Sequence, residues 1–310
     1  MKKIVAILLL SVVVFSVKTE AAFQDVYWGV RALGMGGAFT AVADDANTPL
    51  YNIAGIANIS QQEVTLMGSR LFAGIEGVEI GTNYLGYICP IGKQYGAVSF
   101  AWSSLSTPGL RREDTFNLGY ARGINDIIRL DEETVFLSVG VNMKYLVQEV
   151  KFTDDENKDV PSSSRGAFTA DIGILAWFSN GIGIGYSNKY LVPADIGYEE
   201  KDEVRNVNVI GLSYYSEELP YIKIPYFTIA TDVIFRDNET TIRAGLESCF
   251  FDKKLAIRLG GREEAYDIGF GYEFDFLNES KLAINYAFEM PVKVEESYGS
   301  HFFSLSFKFQ

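Results

Sequence analysis

The chain of 310 residues has one histidine and two cysteines. Each scarcity closes off a class of function. Catalytic triads and histidine-built metal centres need imidazole as base or ligand. The one imidazole, His301, shares strand parity with Phe303 and Leu305 and points where they point. No enzymatic activity, metal or cofactor is expected. Cys89 and Cys249 lie too far apart in sequence to form a disulfide framework; free thiols are expected, with a single bridge left open. The chain also lacks any run of basic residues and carries a formal net charge of -13. A protein that gains affinity from phosphates needs clustered Lys and Arg, so nucleic acid is excluded as a partner. After the amino-terminal residues, no stretch approaches the roughly 20 uninterrupted apolar residues of a membrane helix.

The amino terminus, "MKKIVAILLLSVVVFSVKTEAAFQ", has two lysines, an apolar run from Ile4 to Val17 and small residues at Ala21 and Ala22. That pattern is a secretory signal peptide, residues 1–22, cut just after Ala21 or Ala22. The apolar run is too short to span a bilayer as a helix. No cysteine lies near the cut, so a lipid-anchored precursor is not expected.

What the chain has in quantity is aromatic residues and glycine: 18 Tyr, 22 Phe and 29 Gly. They fall into strict alternation. In "YDIGFGYEFDF", Tyr266, Ile268, Phe270, Tyr272, Phe274 and Phe276 share one strand face, while Asp267, Gly269, Gly271, Glu273 and Asp275 share the other. "LAINYAFEM" repeats this with Leu282, Ile284, Tyr286, Phe288 and Met290, and "HFFSLSFKFQ" with Phe303, Leu305, Phe307 and Phe309. Val135 to Tyr145, Val98 to Trp102, Ile242 to Leu246 and Leu255 to Leu259 follow the same rule. No helical period competes. Cutting at turn residues gives about fourteen strands, starting near Gln62, Gly77, Tyr95, Thr115, Thr134, Arg165, Gly181, Val204, Tyr221, Thr240, Lys254, Tyr266, Lys281 and Ser300. An even count suits a single-chain bacterial barrel.

A soluble β-sandwich also alternates, burying its apolar face between sheets. The strands here, at about 9 to 14 residues, are long for a sandwich and suited to a tilted membrane crossing. Aromatics also gather at the ends of the apolar faces, as in an interfacial girdle. Connections expected on the periplasmic side, such as "PIGKQ", "SNG" and "FDKK", are short; those expected outside, such as "TDDENKDVPSSSR" and "LVPADIGYEEKDE", are longer. "GINDIIRLDEE" is a long exception on the periplasmic side. The fold class is therefore all-β: a transmembrane antiparallel barrel of about 14 strands over residues 62–310, with lipid against its outer face.

The opposite face then lines a lumen. It carries Asp232, Arg236, Arg243, Glu247, Arg258, Arg262, Asp267, Glu273, Asp275 and Glu289. Unpaired buried ions cost several kcal/mol each, whereas a hydrated lumen with cross-strand pairs holds them cheaply. The face serves either as structural pairing or as a selectivity wall and docking surface for a plug.

Residues 23–61 precede the barrel and contain "RALGMGGAFTAVADDANTPLYNIAGIA". Small residues at Gly34, Gly36, Gly37 and Ala38 allow close packing against a wall. Arg31, Asp44 and Asp45 are placed to pair with lumen charges of opposite sign. Asn52 is placed to cap a helical turn over Ile53, Ala54, Gly55 and Ile56. A dinucleotide-binding loop would need a preceding strand and a long following helix, and a calcium site a ladder of ligands around Asp44 and Asp45; both are missing.

This segment resembles the amino-terminal signature of the FadL-like superfamily of outer-membrane proteins, which includes long-chain fatty acid and aromatic hydrocarbon transporters and the PorV and PorQ proteins. Arg31, Ala32, Gly34 to Ala38, Ala43 to Ala46, Asn52, Ala54 and Gly55 match its pattern, over about a tenth of the chain. The terminal "FSLSFKFQ" resembles the aromatic ending read by the barrel-assembly machinery, except that Gln310 follows the last Phe. The resemblance implies a 14-stranded barrel in the outer membrane of a diderm (Gram-negative-type) bacterium, with a lumenal hatch built on Arg31, Gly34, Gly36, Gly37, Asp44, Asp45, Asn52 and Gly55. It implies passive uptake of a hydrophobic small molecule or, as the alternative, PorV-like docking of secreted substrates or a secretion-system protein. Ile53 stands where the family has proline at the first helical position, which is expected to loosen the turn without removing it.

Overall fold

The computed structural model describes residues 23, 28–77, 79–151, 163–198, 200–218, 225–237, 239–276, 279–294 and 296–310. The expected signal peptide, most of the loop "TDDENKDVPSSSR" and the strand start near Tyr221 lie outside them. The described chain forms β1 (Gln62–Arg70), β2 (Gly81–Gly92), β3 (Gly96–Thr107), β4 (Arg111–Gly123), β5 (Val135–Val150), β6 (Ser163–Phe178), β7 (Ile182–Lys189), β8 (Ala194–Asp195), β9 (Glu203–Val204), β10 (Val207–Glu218), β11 (Pro225–Arg236), β12 (Glu239–Phe250), β13 (Leu255–Arg262), β14 (Ala265–Asp275), β15 (Lys281–Pro291) and β16 (Ser300–Phe309). Fourteen of these, all but β8 and β9, close into one barrel in sequential order. β1 and β16 seal it antiparallel, from Gln62↔Phe309 to Arg70↔His301.

The expected strands are all present, with shifted ends. β2 begins at Gly81 instead of Gly77, and β4 at Arg111 instead of Thr115. Val204 belongs to β9, half of a two-residue hairpin with β8, and the barrel strand begins at Val207. Closure satisfies the edge groups of every barrel strand, which a lipid environment requires.

The alternation sets the two faces. Leu118, Phe168, Tyr266 and Phe303 point outward and are 58–70% exposed, which only a lipid-facing wall makes favourable. Trp102, Phe116, Tyr145 and Phe168 lie in one register row across β3 to β6. Phe276, Phe307 and Phe309 cluster at the opposite rim, where the strands begin and end. These two aromatic bands are the interfacial girdle expected of a barrel.

The long exception among the connections encloses a short helix, α2 (Asn125–Ile128). Buried Asn125 ties it down: its Nδ2 donates to the Val135 carbonyl at 2.6 Å and its Oδ1 accepts from the Leu137 N–H at 2.8 Å. On the far rim the β8–β9 hairpin is braced by Asp195, whose carboxylate accepts the Gly197 and Asp202 N–H groups at 3.0 Å each. Those two bonds hold the Asp195 carboxyl below the usual carboxylate range.

Residues 28–58 touch strands all around the barrel and therefore lie inside it. α1 (Val30–Gly34) packs against β13 to β16, and a 3-10 turn over Ile53–Asn58 packs against β2 to β6. α1 ends where Gly36 and Gly37 take φ values of +65° and +78°, a conformation that favours glycine.

Candidate functional site

The segment is clasped to the wall by charge. Arg31 presents its guanidinium edge to Glu247 of β12, with Nε–Oε2 2.9 Å and Nη2–Oε1 2.8 Å. Its Nη1 also bonds Asp44 at 2.5 Å and Asp45 at 3.2 Å. Arg258 of β13 reaches the same Glu247 at 2.5 Å and Asn285 at 3.0 Å. The fork geometry of two parallel bonds is the strong form of this pairing. The expectation that Arg31 meets a lumen charge holds. Asp44 and Asp45 instead pair within the segment: Arg31 lies closer to them than any wall cation, and Asp45 also accepts from the Asn47 backbone and amide at 2.8 and 2.9 Å.

Irregular backbone inside a membrane-embedded wall needs partners for its polar groups. The wall supplies them. Asp232 of β11 accepts the Phe39 and Thr40 N–H groups at 3.1 and 3.0 Å. Trp177 Nε1 and Ser213 Oγ donate to the Ala41 carbonyl at 2.8 and 3.1 Å. Tyr84 donates to Ala46, Asn142 to Pro49 and Ser138 to Ala54, at 2.7, 3.1 and 2.9 Å. Asn52 caps the Ile53–Asn58 turn as expected, accepting from Ala54 N–H at 3.2 Å, and its amide donates to the Ile174 carbonyl at 3.0 Å. Each such bond contributes on the order of 1 kcal/mol net, and leaving the group unpaired costs more.

The seat itself is made of absent side chains. A Cβ on Gly260 of β13 would lie 1.9 Å from Gly36 N, one on Gly245 2.2 Å from the Met35 carbonyl oxygen, and one on Gly185 2.3 Å from that of Thr40. On the far side, a Cβ on Gly173 would lie 2.2 Å from Asn52 Oδ1. Gly34 and Gly269 stack so closely that a Cβ on Gly34 would lie 2.9 Å from Gly269 Cα. Gly55 has a different role: its Cβ would strike the Ala43 carbonyl oxygen at 2.0 Å, inside the segment. Ile53, which stands in place of proline, is 2% exposed and fills the space over Gly119, so burial supports the turn.

A space lies on either side of the segment. Toward the β8–β9 hairpin is a cavity of about 50 Å³, lined by Phe23, Trp28, Leu50, Tyr51, Ser103, Leu105, Glu113, Thr115, Asn117, Lys144, Lys189, Tyr190 and Arg243. Lys144 sits over the Tyr190 ring at 4.4 Å and Lys189 over Tyr51 at 5.5 Å. Toward the rim with the chain end is a vestibule of about 310 Å³, lined among others by Arg31, Asp44, Glu63, Glu247, Lys254 and Lys308. The first mixes aromatic side chains with Lys144, Lys189, Arg243, the Glu113 carboxylate and neutral polar groups; the second is mostly charged.

The remaining inward charges divide between wall pairing and the rims. Arg262 joins Asp267 at 2.5 Å and Glu289 across β13 to β15. Arg243 lies opposite Asp232 in register and lines the aromatic cavity. Glu273 pairs with Lys281 at 2.7 Å. Arg236 is at the hairpin rim, opposite Glu239. Asp275 is at the other rim, exposed and 2.7 Å from Lys254. Among the described residues no cluster of potential metal ligands occurs, and Cys89 and Cys249 are free thiols. Trp177 faces the lumen but is used to hold Ala41. The cavity aromatics instead include Trp28 and Tyr51, which come from the segment itself.

No family model and no curated protein matches the sequence. Solved structures match its fold. The CymD monoaromatic hydrocarbon channel aligns with a TM-score of 0.62 at 11% identity, over 93% of this chain and 98% of that one. The toluene transporter TodX of P. putida aligns at 0.55 and 8% identity, covering 91% and 98%. A FadL homologue of Pseudomonas aeruginosa aligns at 0.52 and 10% identity, covering 91% and 98%. The chain shares the barrel fold of these proteins, the fold that its amino-terminal motif implied.

Proposed function

We propose that the protein resides in the outer membrane and passes small hydrophobic molecules inward through a barrel whose residues 28–58 act as a plug. The observation that carries this reading is a lumen divided by the segment into a chamber of mixed aromatic and polar lining and a mostly charged vestibule, in a fold shared with hydrocarbon channels. The chamber's free volume of about 50 Å³ is a third of the roughly 150 Å³ that admits benzene in an engineered cavity. Cargo therefore enters when the side chains of Trp28, Leu50 or Tyr51 move, so that binding and plug displacement are one event. Arg31, Asp44, Asp45, Asn52 and the glycines at 34, 36, 37 and 55 hold the plug. Glu247 and Asp232 are its charged partners on the wall. The other inward charges support the wall. The β-barrel needs lipid around it and the barrel-assembly machinery to insert it. It has no enzymatic role in this reading.

Native mass spectrometry of the protein extracted in mild detergent from its own membrane tests the proposal. A bound hydrophobic compound, lost on deleting residues 31–55, is the expected result. A tightly co-purifying protein with no small ligand would move the assignment to PorV-like docking, which no feature of the barrel favours.

A further inference from the structure

Arg70 ends β1 at the rim of the longer connections, which is the outer rim of a bacterial barrel. Its parity with Val64, Leu66 and Gly68 turns it toward lipid, and it is exposed. Among the described residues no carboxylate pairs with its guanidinium and no hydrogen bond engages it. Glu76 and Glu79 line the pocket of about 410 Å³ beside it but form no ion pair with it. Arg112, outward at the same rim, is the contrast: its Nε lies 2.7 Å from Asp114 Oδ2.

Across the seam that closes the barrel, the register partner of Arg70 is His301 of β16. The imidazole is fixed in place, 5.3 Å from the Phe288 ring and 6.2 Å from the Tyr286 ring between centroids. Its Nδ1 lies 2.9 Å from the Tyr286 hydroxyl. That phenol O–H has no other acceptor among the described residues, which assigns the ring N–H to Nε2, a donor that bonds nothing in the protein. Backbone bonds brace the two sides of the seam at the rim. The Phe72 N–H donates to Ser300 Oγ at 3.2 Å, the Ala73 N–H to the Gly299 carbonyl at 2.8 Å and the Tyr298 N–H to the Ala73 carbonyl at 2.7 Å.

Below this pair the wall is hollowed. Gly68 is the next outward position on β1, and a Cβ there would meet only Asn83 Oδ1, at 3.8 Å. On its other side stands its register partner Phe303, 58% exposed. The register from Gly68↔Asn83 to Leu71↔Ile80 places a second glycine, Gly81, opposite Arg70 itself. A trough floored by Gly68 and walled by Phe303 thus runs from Arg70 down toward Leu66.

We infer that the Arg70–His301 seam binds the phosphate of an outer-leaflet lipid, with an acyl chain of that lipid in the Gly68 trough against Phe303. A guanidinium offers a fork of donors that matches phosphate oxygens, and the His301 Nε2–H adds one more. Cations on a lipid-facing wall are unfavourable where nothing answers their charge, and a phosphate headgroup at the interface answers it. The trough decides what carries the phosphate: a free anion makes no use of an apolar hollow that leads into the bilayer, whereas an acyl chain fills it. The assignment stands on the outer wall alone and does not depend on the cargo of the lumen.

The full barrel is reconstituted in nanodiscs of phosphatidylcholine with a minor fraction of phosphatidic acid, a phosphomonoester lipid, and the lipid it retains is read by native mass spectrometry. Wild type should retain phosphatidic acid in preference to phosphatidylcholine. Arg70→Gln should lower that retention about tenfold and His301→Phe by less, while Arg112→Gln should behave as wild type. The inference is overturned by absence of the preference in wild type, by undiminished retention in a folded Arg70→Gln, or by an equal loss in Arg112→Gln, which would mean general surface charge. Excess inorganic phosphate should leave the retained lipid in place; its displacement would assign the seam to a free anion and overturn the lipid. If Arg70→Gln does not insert, Gly68→Phe fills the trough and keeps both donors: reduced retention supports the site and unchanged retention overturns it.

Discussion

Replacing Gly260 by alanine tests whether the segment is seated on glycine. The new Cβ would lie 1.9 Å from Gly36 N, 2.4 Å from the Met35 carbonyl carbon and 2.6 Å from Gly36 Cα, where ordinary contact begins at 3.4 Å. All three atoms are backbone, so no rotamer change relieves the clash. The strand is bonded to β12 and β14 on either side and cannot retreat. Gly36 is held at φ +65° and has little room to rotate away. The segment must lift by about 1.5 Å at this point, a cost of about 1–3 kcal/mol for overpacking, and it parts from the wall where α1 ends. Gly261→Ala is the control: its Cβ meets nothing closer than Tyr266 at 3.6 Å, on the outer face. Both changes put the same residue on the same strand, so generic effects of glycine cancel. In planar bilayers Gly260→Ala should raise ion conductance and lower the temperature at which the folded barrel loses its compact electrophoretic mobility, with Gly261→Ala like wild type. Equal behaviour of the two variants would refute the seat.

Deleting residues 31–55 should leave an inserted barrel of clearly higher conductance in the same bilayers; unchanged conductance removes the plug assignment. Glu247→Ala leaves the Arg31 and Arg258 guanidiniums without their shared carboxylate. It should cost about 3 kcal/mol, the low end for a broken buried pair because Arg31 borders the vestibule, measured as a shift in the urea unfolding midpoint. Ile53→Ala should cost about 2–5 kcal/mol in the same assay, since the side chain is fully packed. A cost below about 1 kcal/mol would mean that Ile53 does not replace the missing proline. Thiol titration of the denatured, unreduced protein should give two thiols per chain; none would establish a bridge.

The wall was legible in the sequence because lipid on one side and a polar lumen on the other impose a period of two on every strand. The limits of that legibility are physical. Above the apolar band the rule lapses: Arg112 and Asp114 point outward while Glu113 points inward, so the first residues of β4 look like loop. A hairpin of two-residue strands carries no period, and β8 and β9 had no signature. Asn52 was found because its cap is local, bonding Ala54 two residues on. The partners of Phe39, Ala41 and Ala46 were not, because Asp232, Trp177 and Tyr84 meet them only in the closed barrel. One sign was present and unused: inward glycines at 140, 173, 185, 211, 245 and 260 leave the lumenal face bare where something must fit.

The hydrogen bonds between Ala41, Ala46, Pro49, Ala54 and the wall bear on the order of assembly. A five-residue helix and two 3-10 turns are far below the length at which such elements persist alone in water. Their shape is imposed by donors that stand in place only once fourteen strands have closed. The segment that precedes the barrel in the chain is thus the last to acquire structure, and the barrel is its mould.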